Sequence, residues 1–355
     1  MQPRSDKSML MQRARTTSNR SGLTLLTLLL VAGFLLATGS PRAEGAGRSG
    51  SKPAPAAKTA PSKPSQQPPA RLAFVEFDHA PFPYDGVMPG TNTPFLNVSQ
   101  GTRRGHRARS GRIFWQDETY RDRRVLLYIP RGFDPSRPAA IVVFFHGHGT
   151  ILRRDVLNRQ RVPAQIAASG SNAVLVAPQF AVNAPDSSAG KFWEPGGFAR
   201  FLREAAQRLA VLHGDPQAAQ AFAKMPIVLV AYSGGYLAAA WSLKVGGVGD
   251  RVRGVILLDA LYGELDHFAE WIAGNKDRFF ISAYTNSTQP KNAVLKKLLG
   301  ERQIGYETNL RPRHWQQGVT FLAAGAKADH WTFVTRGWVD YPIKHLLSRL
   351  DEYRR

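Results

Sequence analysis

Downstream of about residue 71 the chain switches repeatedly between two hydrophobic patterns. Short runs at 125–129 (VLLYI), 141–145 (IVVFF), 173–177, 227–231, 252–258, 279–283 and 319–323 are apolar at nearly every position and are bounded by Pro, Gly, Asp or other polar residues. Their length and their β-branched and aromatic content predict buried strands. Between them lie longer segments whose apolar residues are spaced as on one face of a helix, at 198–212, 237–245, 265–273 and 293–299, with a closing helix over 343–353. Strands that are apolar throughout need cover on both faces, and regular alternation with helices supplies it. The pattern therefore predicts an α/β class: a doubly wound, mostly parallel sheet within one domain over 71–355. Residues 71–124, with Phe74, Phe77, Phe82, Phe95, Phe114 and Trp115, read as an irregular cap with one or two leading strands on the sheet edge.

The first seventy residues follow neither pattern. Arg13, Arg15 and Arg20 precede an apolar run over 23–38, the order of a secretory signal, so 1–39 reads as a signal peptide or an N-terminal membrane anchor. Residues 40–70 are rich in Pro, Ala, Ser, Gly and Lys and nearly devoid of bulky apolar side chains. Such a segment cannot bury enough surface to offset its ordering entropy, and it reads as a disordered linker. Signal, linker and domain in that order predict export, to the periplasm or beyond, with anchoring to the inner membrane by 23–38 as the variant form.

Charge adds a constraint. The formal net charge is +21, and ten Lys or Arg with two acidic residues before residue 71 supply +8 of it, which leaves +13 for the domain. A field of that sign favours an anionic envelope polymer or lipid surface. The densest basic run, Arg103, Arg104, Arg107, Arg109 and Arg112, lies among Gly, Ser and His and reads as a solvated loop or an anion site, and nothing in the chain predicts a nucleic-acid module. The chain has no cysteine, which excludes disulfides, thiolate metal sites, a cysteine nucleophile and a lipidated cysteine anchor.

In a doubly wound sheet ligands bind beyond the carboxyl ends of the strands, so the residues that follow each strand are the candidates for chemistry. After 227–231 comes Tyr232-Ser233-Gly234-Gly235, a serine at a strand-to-helix turn whose small neighbours suit a strained backbone. After 141–145 comes His146-Gly147-His148-Gly149, and after the last strand comes Asp329-His330-Trp331. Two histidines two apart with no later partner motif make a poor metal-ligand set, so neither a metal nor another cofactor is expected.

With these three motifs in this order, the chain resembles the α/β-hydrolase superfamily of serine esterases, lipases and peptidases from about residue 125 to the end, Ala231 standing where the nucleophile elbow G-x-S-x-G has its first glycine. The resemblance implies a Ser233 nucleophile, His330 as general base, and an oxyanion hole from the N–H groups of Gly147 or His148 and of Gly234. The orienting acid is expected at Asp259, which ends the sixth strand, because the segment after the seventh, 284–288 (YTNST), has no carboxylate. Asp259 could instead cap the next helix, with Asp266 or Asp329 taking its place. Tyr232, Trp193, Tyr262 and Trp331 are expected to line the substrate pocket, and 183–198 to form a binding loop, a lid or a packed surface loop. The implied function is hydrolysis of an ester, thioester or amide of a small-molecule or envelope-derived acyl substrate, carboxylic esters ahead of peptides. An inactive envelope-binding protein and an acyltransferase using the same triad are the alternatives.

Overall fold

A computed structural model describes residues 68–108, 110–310 and 317–355. The candidate signal or anchor at 1–39, the linker to residue 67 and Arg109 lie outside the described residues. Among the described residues no helix is long and apolar enough to cross a membrane, and no group of three or more His, Asp or Glu is placed to hold a metal ion.

Eight strands form the central sheet: β1 (Arg71–Glu76), β2 (Arg124–Ile129), β3 (Ala140–Phe145), β4 (Ala173–Pro178), β5 (Ile227–Tyr232), β6 (Val252–Leu258), β7 (Phe279–Tyr284) and β8 (Gly318–Ala323). Their spatial order is 1-2-4-3-5-6-7-8. β2 runs antiparallel to both of its neighbours, while β3 to β8 are mutually parallel. No residue of β1 (RLAFVE) is fully buried, which suits its place at the edge.

The helices over the sheet include α1 (Val162–Ala168), α2 (Gly197–His213), α3 (Tyr236–Val245), α4 (Leu265–Gly274), α5 (Gln289–Glu301) and α6 (Pro342–Leu347). Successive strand residues point to opposite faces, so β3 sends Ile141, Val143 and Phe145 into one core and Ala140, Val142 and Phe144 into the other. Phe201 and Leu202 of α2, Ala239 of α3, Phe268 of α4 and Leu295 of α5 close the first core. Val162 and Ile166 of α1 and Ile343 and Leu346 of α6 close the second. This double cover explains why the inner strands are apolar at every position.

Three sequence expectations change. The Arg-rich run is not a loop: Arg103–Arg107 is the middle strand of a small antiparallel sheet, between Val98–Gln100 and Ile113–Trp115. Its charges have local partners, since Arg103 pairs with Asp117 and Glu118, Arg104 pairs with Asp85, and Arg112 lies over the Phe114 ring. The closing helix ends at Leu347 instead of reaching residue 353. Beyond it the chain takes a 3₁₀ turn at Asp351–Tyr353, where the Tyr353 carbonyl accepts from Asn172 N–H, and Arg354 then bridges to Ser171. α1, and a π-helical segment at Arg153–Arg159 before it, have no counterpart in the expected element list.

Candidate active site

Strand β5 ends at Tyr232, and the chain turns through Ser233 at φ 52° before entering α3. A left-handed backbone at a non-glycine residue is strained, and it persists only where surrounding packing imposes it. Here the constraint is the end of β3. A Cβ on Gly235 would sit 2.4 Å from the Phe145 carbonyl oxygen, and one on Gly147 would sit 2.6 Å from Ser233 Cβ and 3.1 Å from its Oγ. Only bare backbone at these two positions lets the loop after β3 press against the serine turn. Ala238, Ala239 and Ala240 then allow α3 to lie close on the sheet, all three being buried.

Ser233 Oγ lies 2.9 Å from His330 Nε2, and His330 Nδ1 lies 2.6 Å from Asp259 Oδ2. A carboxylate can only accept, so Nδ1 carries the proton and Nε2 is left to accept from the serine hydroxyl. His330 is further held by the Tyr232 ring, stacked at 5.3 Å, and by the Tyr232 hydroxyl, which donates to its carbonyl at 2.8 Å. The loop that carries His330 follows β8, and the three residues reach one site from the carboxyl ends of β5, β6 and β8.

Asp259 is fully buried, at φ 44°. It does not cap α4. Its carboxylate accepts from Thr285 N–H at 2.9 Å, Thr285 Oγ1 at 2.8 Å, Ser287 Oγ at 3.0 Å and Thr288 Oγ1 at 2.6 Å, besides His330. Burial by itself pushes the carboxyl up, but the hydrogen bonds from His330, Thr288 and Thr285 outweigh it and hold the group at about 2. The YTNST segment after β7, which lacks a carboxylate, thus furnishes the hydroxyl shell of the carboxylate that ends the neighbouring strand. Sequence reasoning missed this role of Thr285, Ser287 and Thr288, although three hydroxyls within four residues beyond a strand end were the available signal. Of the alternative acids, Asp329 accepts from Thr332 N–H at 3.1 Å, and Asp266 lies in the first turn of α4.

The loop after β3 holds two unlike histidines. His146 is buried; its Nε2 accepts from Phe180 N–H at 2.9 Å, and its Nδ1 therefore donates to the Gly147 carbonyl at 2.8 Å. Burial pushes its pKa down to about 4, so it is neutral at pH 7. His148 faces the site, with Nε2 2.6 Å from Ser187 Oγ, and both side chains lie against Gly234.

A cavity of about 340 Å³ opens at the serine, lined by Tyr232, Ser233, Gly234, Tyr262, His330 and Trp331, as expected from the sequence, and also by His148, Ser187, Tyr236 and Arg159. Trp193 is the exception. Its ring packs 5.8 Å from both Tyr84 and Phe95 in the aromatic cluster of the N-terminal segment, away from the cavity, so it is corrected from pocket residue to packing residue. The 183–198 segment divides: Ser187 reaches the cavity, Asp186 is fixed by the Tyr120 hydroxyl at 2.5 Å, and Phe192 is buried in the core. Tyr236 and Arg159 were not foreseen; Arg159 sits in the π-helical segment Arg153–Arg159, which has no counterpart in the expected elements.

A scan of protein-family models and a search of curated proteins returned no match. Among solved structures, the chain is similar to the feruloyl esterase module from Clostridium thermocellum complexed with sinapinate, at 14% identity over 77% of this chain and 96% of that one, with a TM-score of 0.42. It is similar to an S-formylglutathione hydrolase from Agrobacterium tumefaciens at 11% identity over 71% and 94%, with a TM-score of 0.40. It is similar to Thermogutta terrifontis esterase 2 phosphonylated by sarin at 13% identity over 64% and 87%, with a TM-score of 0.37. The chain's own strand order, with β2 reversed, its strained serine turn after β5 and its histidine beyond β8 give it the fold of the α/β-hydrolase superfamily.

Proposed function

We propose that the protein is an exported serine hydrolase that cleaves carboxylic esters through an acyl-enzyme. The observation that carries this reading is the continuous relay from Ser233 Oγ through the His330 imidazole to a buried, ionised Asp259, with both links within 2.9 Å. In the proposed reaction Ser233 Oγ attacks the ester carbonyl as His330 Nε2 takes its proton, and Asp259 stabilises the imidazolium. The oxyanion is received by the Gly234 N–H and by that of Gly147 or His148, each such donor lowering the barrier by about 3 kcal/mol. His330 returns the proton to the departing alkoxide. Water, deprotonated by the same imidazole, then attacks the acyl-Ser233 ester, and His330 returns that proton to Ser233 Oγ as the acid leaves.

The close seating of Gly147 on Ser233 supports the oxyanion assignment, because a loop in contact with the nucleophile is where a carbonyl oxygen would arrive. A cavity of about 340 Å³ suits a small acyl or alcohol portion. Export is supported by the basic, then apolar, then Pro- and Ala-rich order of the first seventy residues. The test is a screen of p-nitrophenyl esters beside peptide p-nitroanilides with the purified protein and its Ser233→Ala variant. Ester cleavage that vanishes in the variant is the expected result; cleavage of anilides alone, or activity that survives the substitution, contradicts it.

A further inference from the structure

Among the described residues, the cavity at Ser233 is lined by one permanently charged side chain, Arg159, and by no carboxylate. Arg159 ends the π-helical segment that follows the His-Gly loop, and π-helical turns occur often at functional sites. Its position is built. Nε lies 3.2 Å from Oδ1 of Asp155, whose side chain is only 1% exposed, and the other Asp155 oxygen accepts from Arg154 and from Ile151 N–H. One buried carboxylate therefore serves two guanidiniums, and the group keeps a net positive charge. Arg154 turns away to the Gly149 carbonyl. The Arg159 side chain is 54% exposed and, among the described residues, its terminal Nη atoms have no hydrogen-bond partner. Asp329, beside His330 in the chain, is engaged with Thr332. Besides Arg159, the catalytic residues, Gly234, His148 and Ser187, the wall is aromatic: Tyr232, Tyr236, Tyr262 and Trp331.

We propose that Arg159 determines specificity by binding a carboxylate on the substrate, so that the preferred substrates are esters carrying an acid group beside the bond that is cleaved. The free Nη pair is a planar fork that matches a carboxylate in two parallel hydrogen bonds, whereas a neutral ester offers it no anionic partner beyond the Asp155 carboxylate already held at Nε. The inference rests on the serine-hydrolase reading of the same site and names the class of substrate it accepts.

The experiment compares two charged and neutral ester pairs in wild-type protein, Arg159→Gln and Arg159→Lys. p-Nitrophenyl hydrogen adipate against p-nitrophenyl hexanoate places the charge on the acyl side, and 4-carboxyphenyl butanoate against 4-carbamoylphenyl butanoate places it on the leaving group. In at least one pair, Arg159→Gln should lower kcat/KM for the charged ester about 10- to 100-fold more than for the neutral one, mainly through KM, and Arg159→Lys should restore part of the difference. The neutral ester reports any general damage to the fold, because such damage slows both members of a pair alike. If wild-type protein cleaves the esters and Arg159→Gln changes both members of each pair by the same factor, the Arg159 assignment fails while the hydrolase reading stands. If wild-type protein cleaves none of the four and a fluorophosphonate leaves Ser233 unlabelled, the hydrolase reading fails and takes the assignment with it.

Discussion

Asp259 shows how a residue's partners decide its part in the site. It is buried, it has five hydrogen-bond donors around it, and four of them come from the segment after β7. On the proposed mechanism, Asp259→Asn should lower kcat about 10⁴-fold, because an amide no longer fixes the tautomer of His330. Thr288→Val removes one donor and leaves the carboxylate in place. It should lower kcat far less and raise the pKa of the acid, read from the pH titration of its carboxyl carbon by NMR; an unmoved titration contradicts the solvating role of Thr288. Ser233 and His330 were legible in the sequence because each follows a strand of obvious pattern. The hydroxyl shell of Asp259 was not, since its parts lie 26 to 29 residues away and meet it only through the neighbouring parallel strand. Trp193 misled for a related reason: its neighbourhood in the chain faces the site, while its ring is claimed by Tyr84 and Phe95 more than ninety residues upstream.

At the scale of elements, the inner strands could be read because burial on both faces makes them apolar throughout. The edge strand β1 and the small sheet around Arg103–Arg107 lack that signal, being partly exposed and charged, and there the pairing is fixed by partners that lie elsewhere in the chain. The alanine run of α3 and the glycine in β6 are packing statements of the same kind. Ala239 is fully buried between α3 and the sheet, so Ala239→Leu should force the helix outward, costing about 1–3 kcal/mol and, because α3 starts at the serine turn, lowering kcat as well. The Phe279 ring lies across Gly254, where a Cβ would come within 1.8 Å of its Cζ. Gly254→Ala should destabilise by a similar amount but leave kcat per folded molecule nearly unchanged, since this contact is at the far end of the strands from the site. Thermal unfolding together with active-site titration separates the two outcomes, and equal loss of kcat in both variants contradicts the assignment of α3 as the support of the turn.

For the whole molecule, acid stability follows from two buried groups with opposite chemistry. His146 binds its proton more weakly in the folded chain, at about 4, than when unfolded, so its contribution is complete above pH of about 6.5 and is lost as pH falls toward 4, on the order of 3 kcal/mol. Asp259, held at about 2, adds a second loss of roughly 2 kcal/mol as pH falls below 4. Urea midpoints measured from pH 7 to 3 should therefore fall in two stages, and His146→Asn should flatten the upper one; a curve of unchanged shape contradicts the neutral, buried state of His146. The class of the sheet was readable from the sequence because strand and helix alternate regularly, whereas the charge of the cavity was not, since Arg159 reaches it through a π-helical turn with no pattern of its own. The central claim is that Ser233 is a nucleophile activated by His330. Treating the folded protein with a fluorophosphonate and mapping the adduct by peptide mass spectrometry tests it most directly. The account predicts one stoichiometric adduct on Ser233, lost in Ser233→Ala and strongly slowed in His330→Ala; a folded protein that stays unmodified, or is modified at another residue, would contradict it.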